Sequence, residues 1–97
     1  MPATVHVLAH FRAKDGKEDA LRGVLTALVA PARREINCYQ FDLLQNASDP
    51  TDFCFVERWE SDRAVDLHLE TEHVRKAIKD AEDLVAHPPG IDRYRIV

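Results

Sequence analysis

The sequence predicts an α+β fold of the ferredoxin-like kind, β-α-β-β-α-β, and three observations carry it. Apolar and polar side chains alternate in four short stretches, the signature of strands with one buried face. In two longer stretches, apolar residues recur every three or four positions, as on an amphipathic helix. These stretches follow one another as strand, helix, strand, strand, helix, strand, which places both helices on one face of a four-stranded antiparallel sheet.

The first strand is Thr4 to Phe11, where Val5, Val7, Ala9 and Phe11 alternate with His6, Leu8 and His10. Lys14-Asp15-Gly16-Lys17 reads as a turn, and Asp15 with Glu18 three residues on resembles a capping box. Leu21, Val24, Leu25, Leu28 and Val29 predict a helix to about Ala30, with Pro31 at its last turn or a kink. The second strand, Cys38 to Gln45, puts Tyr39, Phe41 and Leu43 on one face. Asn46 to Asp52 is a polar loop of turn formers, and Phe53 to Trp59 is the third strand. A hairpin around Asp49 sets Phe55 opposite Leu43, Glu57 opposite Phe41 and Trp59 opposite Tyr39. Ser61 is a natural N-cap. Ala64, Val65, His68 and Leu69 form the inner side of a second helix. Thr71 can restart that helix, and its period runs on to Ala86 before His87-Pro88-Pro89-Gly90 stops it. Ile91 to Val97, with Tyr94 and Ile96, is the fourth strand.

The chemistry centres on Phe53 to His73. Phe55, Glu57 and Trp59 share a strand face because side chains alternate sides. A carboxylate among Phe55, Trp59 and Phe41 is desolvated, which raises its pKa toward the range of a general base. The bland alternative is an ion pair with Arg33 or Arg93. His68 lies on the inner side of its helix and suits proton transfer, or is simply a hydrogen-bonded core residue. His73 is rotated about 140° from it on an ideal helix, so the two do not clamp a metal, and a helix-start or interface role fits it. His6 and His10 share a strand face about 13 Å apart, too far for one ion, which makes them surface or interface residues. Trp59 is either core or a stacking surface for a planar ring. Arg58 is expected in an interface ion pair with Asp42 or Glu60. No metal-ligand pattern, phosphate loop, dinucleotide fingerprint or nucleophile setting occurs, so a flavin or nicotinamide is unsupported.

Composition bounds the rest. The 97 residues suit a single domain, 1–97, with 45% apolar residues, 31% charged residues and a net charge of −4. The scattered Lys and Arg argue against a nucleic-acid surface and a polybasic membrane patch. No apolar run reaches the roughly 20 residues of a bilayer span. MPATVHVLAHF has neither the basic start nor the cleavage site of a leader, so a cytoplasmic protein is expected. Cys38 and Cys54 are expected as buried free thiols, far apart along the hairpin. The sheet face away from the helices carries His6, Leu8, His10, Gln40, Asp42, Val56 and Arg58. That mixture is too polar for a core and too apolar to leave in water, so a homodimer pairing two such faces is expected.

The residues resemble the antibiotic biosynthesis monooxygenase family over nearly the whole chain. The likeness is densest at Arg33-Arg34-Glu35-Ile36-Asn37-Cys38, similar to the family's Arg-x-Glu-x-Gly-Cys. It continues through Phe41-Asp42-Leu43, Asp49-Pro50, Phe53, Glu57, Trp59, His68 and His73. Asn37 stands where Gly is usual, Phe41 where Tyr is usual and Glu72 where Pro precedes the second His. The resemblance implies a dimeric α+β barrel with His68 lining the cavity between helices and sheet. It also implies cofactor-independent oxidation of a small aromatic, a quinol or polyphenol, by O2. Glu57 or His68 would then be the base; Trp59, Phe55, Phe41, Tyr39 and His73 would hold the ring, with Tyr39 supplying the hydroxyl absent from Phe41. Three alternatives stay open. One is an isomerase or epimerase of a small carbonyl compound and another a non-catalytic dimer that binds small molecules. The third is a haem-degrading role with His68 or His73 on iron.

Overall fold

The computed structural model describes residues 4–97, so the first three residues of the stretch read for a leader lie outside it. Strand β1 (Val5–Arg12) is followed by helix α1 (Glu18–Arg33), strands β2 (Cys38–Gln45) and β3 (Asp52–Trp59), helices α2 (Asp62–Leu69) and α3 (Glu72–Ala81), and strand β4 (Gly90–Tyr94). The four strands form one antiparallel sheet in the order β2-β3-β1-β4. This is the ferredoxin-like arrangement the sequence predicts, with the second helix divided in two. The sheet of a single chain is open, with β2 and β4 at its edges, and does not close into a barrel.

The period-2 pattern sets which face is buried. On β1, Val5, Val7, Ala9 and Phe11 are buried while His6, Leu8 and His10 are less so; on β3, Phe53, Phe55, Glu57 and Trp59 are buried and their neighbours half-buried. The helices supply Leu21, Leu25, Leu28 and Ala32 from α1, Ala64 and Val65 from α2, and Val74, Ala77 and Ala81 from α3. One core therefore lies between the sheet and the helices. The Asn46–Thr51 loop is held by Asp49, which accepts hydrogen bonds from the Thr51 hydroxyl at 2.7 Å and from Arg12 at 2.8 Å. These two partners, Thr51 first, hold the Asp49 carboxyl down to about 2.

Four local expectations are corrected. The Asp15 capping box does not form: Lys17 is the N-cap of α1 without a side-chain bond, and the Glu18 carboxylate turns back to accept from Gly16 N. Gly16 has φ 82°, a left-handed conformation that a glycine adopts without strain. Helix α1 runs past Ala30 to Arg33, with Pro31 in its last turn as expected; having no N–H, Pro31 gives up one intrahelical bond there. The final helix stops at Ala81 rather than Ala86. The segment beyond is recruited by the end of β1: Lys14 N donates to Leu84 O, and Ala86 N donates to Arg12 O. Strand β4 ends at Tyr94, so Ile96 and Val97 lie beyond it.

The expected hairpin register holds for Phe41↔Glu57, Leu43↔Phe55 and Leu44↔Cys54. A bulge between Cys38 and Gln40 then places Cys38, not Tyr39, opposite Trp59. The extra residue, Tyr39, is half-exposed with the Arg58 guanidinium 5.4 Å from its ring centre. Within one chain, Arg58 meets this aromatic ring.

The break between α2 and α3 is built by Thr71. Its hydroxyl accepts from Val74 N at 3.3 Å, capping α3, and donates to His68 O at 2.7 Å, closing α2. Replacing Thr71 by Ala removes both bonds and is expected to cost about 1 kcal/mol, lowering Tm by roughly 4–8 °C while Thr71→Ser stays near wild type. Thermal unfolding followed by circular dichroism checks this, and equal Tm values for the Ala and Ser variants would show that the hydroxyl does not define the break.

Candidate functional site

Glu57 sits mid-strand on the inner face of β3, where alternation leaves it no route to solvent, and it is 5% exposed. Its Oε1 accepts from the Trp59 indole Nε1 at 2.8 Å, two residues along the same face. The expected competing ion pair is not made. Arg33 donates to Phe41 O and Asp42, and Arg93 donates to Asp62 and Asp66. Among the described residues, Glu57 has no Arg or Lys within ion-pair distance. Burial therefore pushes its carboxyl up to about 7, against the lowering effect of the Trp59 bond and with a smaller upward push from the charge of Glu35.

His68, on α2, is 3% exposed and lies under Trp59 with ring centres 4.4 Å apart. Its Nε2 stands 4.0 Å from Glu57 Oε1, and its Nδ1 is 2.6 Å from Glu35 Oε2. Burial draws the imidazole pKa down, opposed by the Glu35 bond, so the neutral ring predominates at neutral pH. The same Glu35 oxygen is 2.8 Å from Nε2 of His73. One carboxylate oxygen thus joins two imidazoles.

That junction overturns the expectation that His68 and His73 point apart. A separation of about 140° holds only on one continuous helix. With α2 ending at Leu69 and α3 restarting at Glu72, the chain turns between them and brings the ring centres to 6.2 Å. Ligand atoms of Glu35, His68 and His73 all lie within 4.8 Å of one another, so among the described residues these three form a group able to hold a cation. Glu35 belongs to the quoted Arg-x-Glu motif but carries no sign of its role in periodicity or composition. It stands on the turns after α1, where Glu35 N donates to Ala32 O and Cys38 N donates to Glu35 O, winding the chain into β2.

Glu57 and His68 face a small cavity of about 30 Å³ whose wall includes Phe41, Phe55, Val65, Ala77 and Ile91. That is room for about two waters or a diatomic molecule. Next to it, an open cleft of about 440 Å³ is lined by Phe11, Ile78, Ala81, Glu82, Val85, His87, Pro88 and Pro89. Phe11 and Ile78 belong to both walls. Of the expected ring-holding residues, Phe41 and Phe55 line the cavity, and Trp59 fixes Glu57 and stacks on His68. Tyr39 is displaced by the bulge and is not at the cavity. His73 is absent from the cavity wall and binds Glu35 instead. Cys38 and Cys54 are free, as expected, but half-buried rather than buried. Burial, with the charge of Glu35, pushes the Cys38 thiol up to about 11.

A carboxyl with a folded pKa near 7 and an ordinary value of 4.5 binds its proton more tightly in the folded state. Its contribution to stability is complete below about pH 4.5, is lost as pH rises toward 7, and stays lost above. His68, whose folded pKa is lowered, acts in the opposite sense and is present in both wild type and Glu57→Gln, so the larger part of its contribution cancels in their difference. Glu57→Gln is therefore expected to be more stable than wild type by about 3 kcal/mol near pH 8.5 and indistinguishable from it near pH 4. Urea unfolding at the two pH values measures this, and a difference that does not change with pH would rule out a buried, unpaired carboxyl.

The family model for antibiotic biosynthesis monooxygenase matches residues 4–80. The crystal structure of PA3566 from Pseudomonas aeruginosa is 34% identical, superposes with a TM-score of 0.93, and is matched over 100% of this chain and 97% of that one. The Mycobacterium tuberculosis protein named "Putative monooxygenase Rv0793" is 30% identical over 91 residues, 94% of this chain and 89% of the relative. The Synechocystis protein sll1783, named as uncharacterized, is 24% identical over 90 residues; they are 93% of this chain but 61% of that protein, so the chain spans under two thirds of its length. No helix among the described residues is long and apolar enough to cross a membrane. With the family's pattern extending from the first strand into α3 and its fold reproduced along the whole chain, this protein belongs to the antibiotic biosynthesis monooxygenase family.

Proposed function

We propose that this protein oxidises a small electron-rich aromatic, a quinol or polyphenol, with O2, and that Glu57 is the base that starts the reaction. The observation that carries the reading is a carboxylate facing an apolar cavity, fixed by Trp59 and without a cationic partner among the described residues. Such a group takes a phenolic proton at neutral pH because desolvation has raised its proton affinity toward that of a weak base in water. The phenolate left behind is electron-rich enough to reduce O2. A quinol that takes up one O2 yields a hydroxyquinone and one water, the ring itself supplying all four electrons. The protein's part is to remove the proton, hold the ring and exclude water.

The two cavities suggest a division of labour. The larger cleft is within the usual range for small-molecule sites, whereas the small cavity has the size of O2. In this reading the ring enters by the cleft and displaces the Phe11–Ile78 partition to bring its hydroxyl toward Glu57, with Phe41 and Phe55 at its edge. His68 Nε2, 4.0 Å from Glu57 Oε1, takes the proton on only after the two close by about 1 Å to hydrogen-bond distance. The protein acts as a homodimer in this reading, through the half-buried Leu8 and Val56 of the outer sheet face.

Oxygen uptake with a panel of quinols and dihydroxynaphthalenes tests the function. Saturable uptake above the autoxidation blank is expected, with Glu57→Gln lower in kcat by about 100-fold or more. Ile78→Trp, which fills the shared wall, is expected to raise KM while leaving the raised Glu57 pKa in the pH profile. Uptake equal in wild type and Glu57→Gln would remove Glu57 as the base, and uptake at the blank rate with every compound would remove the oxidation itself.

A further inference from the structure

We propose that Glu35, His68 and His73 form a binding site for a divalent first-row transition-metal cation, set behind His68 on the side away from the Glu57 cavity. Three arguments lead there, and none depends on the reaction proposed above.

The first is donor geometry. Two imidazole nitrogens and a carboxylate oxygen arrive from three separate elements, the turn after α1, α2 and α3, and converge within 4.8 Å. Donors about 2.0–2.1 Å from a tetrahedral ion stand roughly 3.3 Å from one another. The Glu35–His68 and Glu35–His73 separations of 2.6 and 2.8 Å need to open by only about 0.5–0.7 Å to reach that spacing. Two imidazoles and one carboxylate are the donor set of open-position sites for zinc and ferrous ions.

The second argument is charge. Glu35 and Glu57 both flank His68, and among the described residues neither has an Arg or Lys partner. Lys76, which lines the same groove as His73, is engaged with Asp80. A divalent ion on the Nδ1 side of His68 would supply the missing positive charge.

The third is the surrounding shell and the way in. A metal-binding histidine usually donates its other ring N–H to a carboxylate. His68 offers Nδ1 to the site and turns Nε2 toward Glu57, which Trp59 holds in place. His73 is partly exposed and opens onto a groove of about 230 Å³ shared with Val24, Ala27, Leu28 and Lys76, which gives an ion its route from solvent.

The test is calorimetric titration of chelator-treated protein with Zn2+, together with Co2+-induced broadening of imidazole NMR signals. One ion per chain is expected, with a rise in Tm because the ion binds only the folded arrangement. Co2+ should broaden His68 and His73 while sparing His6, His10 and His87. Glu35→Gln and His73→Ala, checked for folding by circular dichroism, should each weaken Zn2+ binding at least about tenfold, while His10→Ala should bind as wild type does. Broadening in wild type assigns the site even if a variant proves unstable. The proposal is overturned by no Zn2+ heat and no Tm change, by broadening confined to the other histidines, or by affinity unchanged in both Glu35→Gln and His73→Ala.

Discussion

The hydrogen bond from Trp59 Nε1 to Glu57 Oε1 is the contact on which the site depends. Both side chains come from alternate positions of one strand, so the sheet itself sets their spacing. The indole gives the buried carboxylate one partner and no positive charge, which is enough to satisfy an oxygen and too little to hold the pKa down. Trp59 also covers His68 with its ring face. One large side chain thereby fixes the acid, shields the imidazole and closes the core between β3 and α2. With an Arg in place of the indole, the same fold would present an inert ion pair.

Much of this was legible in the sequence because it rests on short-range periodicity. Alternation on β1 and β3 places Val5, Val7, Glu57 and Trp59 on the inner face without any knowledge of tertiary contacts. The polar loop around Asp49 fixes the register of Phe41 with Glu57. Ser61 marks the start of α2, and its hydroxyl accepts from Ala64 N. The family pattern, read from the same residues, brought in His68.

What escaped the sequence was set by contacts between distant parts of the chain. Tyr39 follows the alternation on paper, but one extra residue at the bulge turns its ring to meet Arg58. Such an irregularity has no sequence mark beyond ordinary strand residues. Residues 82–86 keep helical spacing, yet their backbone bonds to Arg12 and Lys14 outweigh local preference. Glu35 was read only as a motif letter, since its importance comes from partners 33 and 38 residues away. His73 was misplaced for a related reason: Thr71 was recognised as a restart, but a restart changes the angle between helices, which periodicity does not encode.

The Glu35 junction has a mechanical consequence. By gripping His68 and His73 with one oxygen, it closes loops of 33 and 38 residues that contain the whole β2–β3 hairpin. Closing loops this long restricts chain freedom, and the entropy involved grows only slowly with length. Unlike a disulfide, this tie is made and released without a change of oxidation state. The hairpin carrying Glu57 is thus bracketed by a reversible fastening whose grip varies with whatever occupies the space between two imidazoles and a carboxylate. Local opening of α2 and α3 would loosen the floor of the cavity while leaving β1 and β3 paired, and His68, bonded to Glu35 and facing Glu57, is the side chain where such an opening would reach the site.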